Sequence, residues 1–436
     1  MIGIGAINLD YTWTQAPEVA KTEGSLPPDP SKPDQGDEDF YLTYEGARAE
    51  IKRRKLTDPT VGGSALLALR AASVVDTDLI LGFVGVCGEV PGQDEIVSLN
   101  GSLRSHLDFI KSQPWLLAPD SENEGERSPG LAIVRLNEGQ RGHIEIAPCA
   151  NDEFQPLAQK KDPTGDQLAR YLSSACWIHM SSLASGDQFS FAAAAVRRAR
   201  AINPHLTVSF DPGEQYVVAE TKTDKQLTDA EREFRRAYRN GIAVADFVFL
   251  SQKEAEHLNG DGAQSLPEVQ QTFAAHVWDH AANRPLVIMV KHKGHNELWA
   301  KDGNTPKRRQ FPHKRLKDSK IWNDTGAGDV FAGAFIAGML SPKLRAHQPL
   351  PVGLGARAAA ARLASMEKDP FPEIGAATTS FLNDLEHKEK RNLTERIRLI
   401  ITEQRKSVLV GSVAGVATGI IAGLIVWAIQ LALAHP

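Results

Sequence analysis

Two rhythms of apolar residues alternate along this chain. Short apolar runs with the brevity of strands occur at Ile2–Ile7, Leu79–Val86, Trp177–Met180, Thr207–Phe210, Phe247–Leu250 and Pro285–Val290. Between them lie longer segments with helical spacing: SALLALRAASVV from Ser64, Phe189–Ala201, and residues 227–240, 265–282, 327–340 and 351–366. Glu45–Lys55 is charged and also reads as helix. Leu131–Leu136 and His143–Ile146 alternate in character and are joined by the turn Asn137-Glu138-Gly139, which predicts a hairpin. Residues 115–129 read as loop, and 23–39 (EGSLPPDPSKPDQGDED) as a disordered surface insertion. Strands alternating with helices predict a mostly parallel sheet covered on both faces.

Beyond residue 380 the pattern changes character. Residues 381–407 mix charges with a partial apolar stripe (Leu385, Leu393, Ile397, Ile400, Ile401), expected to be a helical stalk. From Val408 to Ala434 no residue is charged. As a helix this stretch reaches roughly 40 Å, long enough to span a bilayer with some tilt. A buried core helix is the alternative, opposed by its length and all-round apolarity. Arg405 and Lys406 precede it, so the expectation is a single-pass C-terminal anchor with the rest of the chain cytoplasmic. The N-terminus shows no signal-peptide pattern. Gly411, Gly415, Gly419 and Gly423 share one helix face, which allows close helix pairing and a homo-oligomer. The competing reading is that glycine is common in membrane helices.

Composition adds exclusions. The chain has 436 residues, 42% hydrophobic and 24% charged, with net charge −5. That balance excludes wholesale disorder and gives no sign of nucleic-acid binding. Cys87, Cys149 and Cys176 are too few and too scattered for a disulfide framework, and a buried place in apolar strands is expected for Cys87 and Cys176. His276 and His280 share a helix face without the glutamate of an H-E-x-x-H site, so they read as a solvated face. His179 reads as interior, and Lys307-Arg308-Arg309 as a solvated edge.

The sharpest chemical signal is Asn323-Asp324-Thr325-Gly326-Ala327-Gly328-Asp329 before an apolar helix. A glycine turn opening into a helix aims free N–H groups into a small concavity, an anion hole at Gly326, Ala327 and Gly328. Asp329 in the first turn can take a proton from an attacking hydroxyl; its plainer reading is a helix-capping acid.

These residues resemble the ribokinase/PfkB carbohydrate kinases, and the resemblance extends along residues 2 to about 385. Gly5-Ala6-Ile7-Asn8-Leu9-Asp10 resembles the opening strand of that family, Val61-Gly62-Gly63 its glycine pair, Gly82–Glu89 the next strand, and Ala150-Asn151 the usual G-A-N. The resemblance implies a ribokinase-like three-layer α/β/α sandwich over 1–380, to which the anchor at 408–434 is added. It implies ATP- and Mg2+-dependent phosphorylation of a sugar or nucleoside hydroxyl, with Asp329 as general base. Asn8, Asp10, Gly62, Gly63 and Asn151 would hold the acceptor. Thr325, Lys291 and Gly294 would border the nucleotide, and Glu254 would organise Mg2+ through water.

The chain also departs from that family. Ser251 stands where N-x-x-E has Asn, and Asn323 replaces the first Asp of the signature, which weakens any carry-over of monovalent-cation activation. Leu66 and Leu67 occupy the region of a sugar-binding Asn, and the long 11–60 segment replaces short lid strands. These changes keep a second reading open, a membrane-anchored nucleotide- or sugar-binding regulatory pseudokinase.

Overall fold

The computed structural model describes residues 1–14, 40–57, 59–88, 109–110, 112, 114–137, 140–181, 183, 185–213, 222, 224–259, 286–292, 294–302, 305–317, 321, 325–345, 351–365, 369–385 and 387. The chain divides into two units, Met1–Thr379 and Ser380–Pro436. In the second, residues 380–385 and 387 are described and helical.

The first unit carries two sheets. The strands in chain order are β1 (Ile2–Ile4), β2 (Asn8–Thr14), β3 (Phe40–Tyr41), β4 (Thr60–Gly62), β5 (Gly82–Val86), β6 (Trp115–Leu117), β7 (Gly130–Asn137), β8 (Gln140–Ala147), β9 (Trp177–Ser181), β10 (Thr207–Asp211), β11 (Phe247–Ser251), β12 (Val287–Lys291), β13 (His295–Asp302) and β14 (Thr305–Pro312). Among the described residues, one sheet runs β14-β13-β12-β11-β10-β9-β1-β5-β6 and the other β3-β8-β7-β2-β4. From β12 to β6 all neighbours in the large sheet pair parallel; β13 and β14 add an antiparallel edge.

Alternation along each strand builds a core on each face. Val84, Ile178, Met180, Val208, Val248, Leu250, Ile288 and Val290 join the core that includes Phe189 and Tyr238 of helices Gly186–Ile202 and Asp229–Val244. Phe83, Trp177, Phe249 and Met289 point the other way, toward Leu69 and Phe335 of helices Ser64–Val75 and Ala327–Leu340. The Ala327 helix is buried along most of its length because its neighbours are the sheet and two further helices, Ser64–Val75 and Val352–Ala364. Phe335 lies 5.6 Å from Phe249 and 5.9 Å from Phe247 between ring centres. This packing fixes the helix whose N-terminus opens at the sheet's carboxyl edge.

Several expectations are corrected. Ile2–Ile7 is not one strand: it ends at Ile4, and the chain then enters the small sheet as β2, which runs on to Thr14. Gly5 marks the break because a side chain there would overlap the Ser181 carbonyl. Segment 11–60 does contribute to a small sheet, through β2, β3 and β4, with helix Tyr44–Arg53 beside it. Residues 115–129 hold strand β6 and the short helix Glu124–Arg127 rather than only loop. Two short helices, Phe154–Lys161 and Asp166–Ser173, and the hairpin β13–β14 were not anticipated. Cys176 is exposed because it precedes β9, which begins at Trp177, rather than lying within the strand; Cys87 is buried as expected.

The insertion at 23–39, helix 265–282 with His276 and His280, and Asn323 and Asp324 lie outside the described residues. So do residues 408–434 with Gly411, Gly415, Gly419 and Gly423, and most of the expected stalk. Among the described residues no helix is long and apolar enough to cross a membrane.

Candidate functional site

The turn Thr325-Gly326 enters helix Ala327–Leu340 through a left-handed Gly326, with φ 76° and ψ 1°. An L side chain is strained there, so glycine makes the turn. No side chain caps this helix among the described residues. The first-turn N–H groups have no partner within the helix and face outward at the positive end of its dipole. Leu67 closes one side: a Cβ on Gly326 would lie 2.9 Å from Leu67 Cδ1. A Cβ on Gly328 would lie 3.0 Å from Lys291 Nζ, so an ammonium rests against the first turn. Asp329, half-buried, sits in that same turn.

Asp10 faces this turn from β2. Its carboxylate lies so close to Gly62 that any Cβ there would overlap it. The antiparallel register Asn8↔Gly62 and Asp10↔Thr60 holds them side by side. Gly63 has φ 105°, and a side chain would run into the Ala6 carbonyl, so the glycine pair is required by both conformation and space. Asp10 is pushed up to about 7, first by burial and then by the Asp329 charge, with Arg362 opposing. Two carboxylates therefore sense each other across the cleft. Asn151 is buried and its amide is engaged by the chain: it accepts from Ile7 N at 3.1 Å, and donates to Ile7 O at 3.0 Å and to Asn8 Oδ1 at 2.9 Å. It thereby fixes the crossing between the two sheets and orients Asn8.

A third group of charges gathers at the carboxyl ends of β10, β11 and β12. Lys291 Nζ donates to Asp211 Oδ2 at 2.9 Å, and the two side chains are 16% and 8% exposed. Burial would lower the Lys291 pKa, but the carboxylates of Asp211, Glu254 and Asp329 outweigh it and raise it. Glu254 is buried and pushed up to about 7, by burial first and then by the Asp211 charge. Ser251 caps helix Gln252–Asn259 reciprocally: Glu254 N donates to Ser251 Oγ at 3.1 Å and Ser251 N to Glu254 Oε2 at 2.6 Å. The serine thus keeps the glutamate in place without an asparagine. Gly294 lies half-buried at the β12–β13 turn, where its carbonyl accepts from His313 N at 3.1 Å.

The other candidates resolve into packing. His179 is fully buried beneath Asp211 and Lys291, with Nδ1 2.9 Å from Ser209 Oγ and its pKa lowered to about 4 by burial. His292, His295 and Glu297 cluster closely enough to suggest a metal. Glu297 is already supplied by Trp299, Arg308, Gln310 and His295 as donors, so its carboxylate is neutralised within the protein. Lys307 and Arg309 are exposed on the edge strand β14. Burial pushes the Cys149 thiol up to about 12, which makes it unreactive. A cavity of about 660 Å3 lined by Tyr44, Glu45, Cys149, Asp152 and Lys160 includes none of the groups around Asp10 and Asp329. The convergence of charge, rather than the size of the cavity, locates the site.

Two participants were missed in the sequence. The pairing of Asp211 with Lys291 is invisible at a separation of 80 residues. Arg362 on helix Val352–Ala364 gave no signal.

Known structures share this architecture. Adenosine kinase of Anopheles gambiae, solved with P1,P4-di(adenosine-5) tetraphosphate, is 18% identical with a TM-score of 0.58, over 85% of this chain and 97% of that one. Ribokinase of Giardia lamblia is 16% identical with a TM-score of 0.56, over 88% and 98%. An E. coli structure assigned to a ribokinase II, solved with ATP and Mg2+, is 14% identical with a TM-score of 0.52, over 88% and 98%. At these identities the likeness establishes the ribokinase-like fold. No curated protein matches the chain. The sequence pattern of the pfkB family carbohydrate kinases matches residues 126–364, more than half of the chain and the part that carries Asp211, Glu254, Lys291 and the Gly326–Asp329 turn. This chain belongs to the pfkB family of carbohydrate kinases.

Proposed function

We propose that this chain transfers the γ-phosphoryl group of ATP to a hydroxyl of a sugar or nucleoside. The observation that carries the reading is the placement of Asp329 in the first turn of an uncapped helix, close enough to Asp10 for each carboxylate to feel the other. In this reading Asp329 accepts the proton of the acceptor hydroxyl as its oxygen attacks the γ-phosphorus in line, and ADP leaves. The N–H groups of Gly326, Ala327 and Gly328 receive the charge that develops on the phosphoryl oxygens. Asp10 and Asn8 accept and orient acceptor hydroxyls beside Gly62 and Gly63, and Asn151 fixes Asn8. Thr325 and Gly294 border the nucleotide.

The carboxylates of Asp211, Glu254 and Asp329 all act on the Lys291 ammonium, and acids gathered at one place suit a divalent cation. Mg2+ would be held near Glu254 through water and would neutralise phosphate charge when bound. The E. coli structure with ATP and Mg2+ and the adenosine kinase and ribokinase structures of the same fold support this nucleotide, ion and acceptor class.

The test is ADP release by the full chain with MgATP and a panel of sugars and nucleosides. Release that depends on one acceptor and falls about 10^2- to 10^4-fold in Asp329→Asn supports the reading. Near-normal turnover by that variant overturns it.

Leu67 against Gly326 favours a second reading, a nucleotide- or sugar-binding regulatory pseudokinase, because an apolar side chain there gives an acceptor hydroxyl no partner. ATP binding with no release on any acceptor distinguishes it. We further propose that 408–434 is a single-pass membrane anchor carrying the kinase domain on the cytoplasmic side, and that its glycine face pairs two copies.

A further inference from the structure

We propose that the phosphate acceptor is a nucleoside rather than a free sugar, with its base lying flat on the face of the small sheet that carries Asn8 and Asp10. This rests on the phosphoryl-transfer reading above, under which either class of acceptor supplies the hydroxyl. It makes Val134 and Ile146 specificity-determining residues.

The placement follows from strand register. Side chains alternate between the two faces of a strand, and partners in register share a face. Asp10 of β2 is in register with Ala132 of β7, and Ala132 with Ile146 of β8. Two residues on, Thr12 is in register with Val134, and Val134 with Ile144. Asn8 stands on this same face, beside Gly62. The opposite face holds Leu9, Tyr11, Leu131 and Ile133, which join a core with Tyr44, Ala47 and Ile51 of helix Tyr44–Arg53. Ala132, Val134, Ile144 and Ile146 belong to none of the apolar cores formed by the described residues. Ala132 and Val134 are buried, Ile144 and Ile146 are half-buried, and Thr12 beside them is exposed. An apolar patch thus begins on the strand next to Asp10 and continues onto the one after, about 5 to 10 Å from β2 at ordinary strand spacing.

A face divided in this way fits an acceptor divided in the same way. Asn8 and Asp10 serve hydroxyls at one end. The four apolar side chains carry no hydrogen-bonding group, so whatever rests on them is held by its apolar surface. A free sugar is ringed by hydroxyls; laid across this patch, some of them would lose water without gaining a partner. Leu67, against Gly326, offers them none either. A nucleoside keeps its ribose hydroxyls at one end and a flat ring system at the other. Alanine and β-branched side chains on adjacent strands make a level surface that suits such a ring. The patch is continuous with the acceptor position, so a base reaches it while the ribose stays at Asp10.

The experiment measures kcat/KM of the full chain with MgATP for adenosine, guanosine, cytidine and uridine. Ribose, the same sugar without a base, and the other free sugars of the panel are measured beside them. At least one nucleoside is expected to exceed ribose by about 100-fold or more, since a single methylene in an apolar pocket is worth about 10- to 200-fold. Val134→Thr and Ile146→Thr should each lower that nucleoside's kcat/KM about 10-fold and change ribose less than about two-fold, because the new hydroxyl faces the base. Ile146 is half-buried and outside the cores, so Ile146→Thr carries the test should Val134→Thr fail to fold. Release of ADP with a free sugar that equals or exceeds release with every nucleoside overturns the proposal and leaves the kinase reading standing. Equal losses on nucleoside and ribose in Ile146→Thr do the same. A wild-type chain that releases no ADP with any acceptor overturns both.

Discussion

Burial first, and then the Asp329 charge across the cleft, disfavours the ionised form of Asp10. Its pKa of about 7 lies above the usual carboxylate value of 3.8. Between those values the folded chain binds more protons at Asp10 than the unfolded chain does. Its contribution to stability is therefore present at low pH and is lost as pH rises through this window. Asp10→Asn should raise stability at pH 8 by about 1 to 2 kcal/mol, reduced from the full shift because the carboxylate borders solvent, and change it little at pH 4. Thermal unfolding at the two pH values measures this, and an equal effect at both would refute it. At the same scale, Ser251→Ala removes the oxygen that caps the Gln252 helix. It should cost about 1 kcal/mol, and Ser251→Asn should restore most of it. Denaturant midpoints of the two variants provide the comparison. Asp10, Glu254, Lys291 and Asp329 each stand in a short motif within a strand, at a strand end or in the first turn of a helix, so the sequence singles them out. The pairing of Lys291 with Asp211 and the place of Arg362 near Asp10 are not legible, since contacts between distant stretches of chain leave no local spacing to read.

Elements bring these residues together, and one close approach is between two helices. Gly333 of the Ala327 helix lies against the Ala68 carbonyl of the Ser64 helix, where a Cβ would overlap it. Gly333→Ala must push the Ala327 helix away from the helix that follows the glycine pair. The expected outcome is a loss of about 1 to 3 kcal/mol in stability, with kcat reduced more than nucleotide affinity. Chemical denaturation and kinetics on the same variant check both parts, and unchanged kcat would show that the spacing of the two helices does not set the chemistry. Both helices were readable to the residue, Ser64–Val75 and Ala327–Leu340, because each is an almost uncharged apolar run that opens directly after a glycine. The hairpin β13–β14 was not, because edge strands expose a polar face and Lys307, Arg308 and Arg309 masked the alternation. Helix Asp166–Ser173 buries only Leu168, Ala169 and Leu172, too short a stripe to stand out from loop. The first strand was read as continuous because both of its halves are apolar. The break at Gly5 is a matter of space in the folded chain, not of composition.

At the scale of the whole molecule, the uncharged run at 408–434 makes a prediction that concerns location rather than catalysis. The full chain produced in cells should pellet with membranes and resist extraction by high salt and alkali, yet be released by detergent. Replacing Ile425 and Leu431 with lysine should move it to the supernatant with kinase activity intact. Recovery of the unaltered chain in the supernatant would remove the anchor. The layered architecture itself was legible from alternation alone. The small sheet was not, because its strands come from four separate stretches of chain and one of them, Phe40–Tyr41, is only two residues long.

The crossing from β1 to β2 carries a last consequence. Within Gly5-Ala6-Ile7 the chain leaves the large sheet for the small one, fastened by Asn151 and overlaid by Gly63. Asn8, Asp10 and the glycine pair all stand at this seam, while β3 lies at the opposite margin of the small sheet, about 14 Å from β2 at ordinary strand spacing. Seen as a lever, the small sheet has its fulcrum beside Asp10 and Asp329. A rotation about the seam sweeps β3 through several ångströms and scarcely alters the separation of Asp10 from Asp329. Heritable change obeys the same mechanics: the remote margin at β3 can be lengthened and rewritten without displacing Asp10 at the pivot.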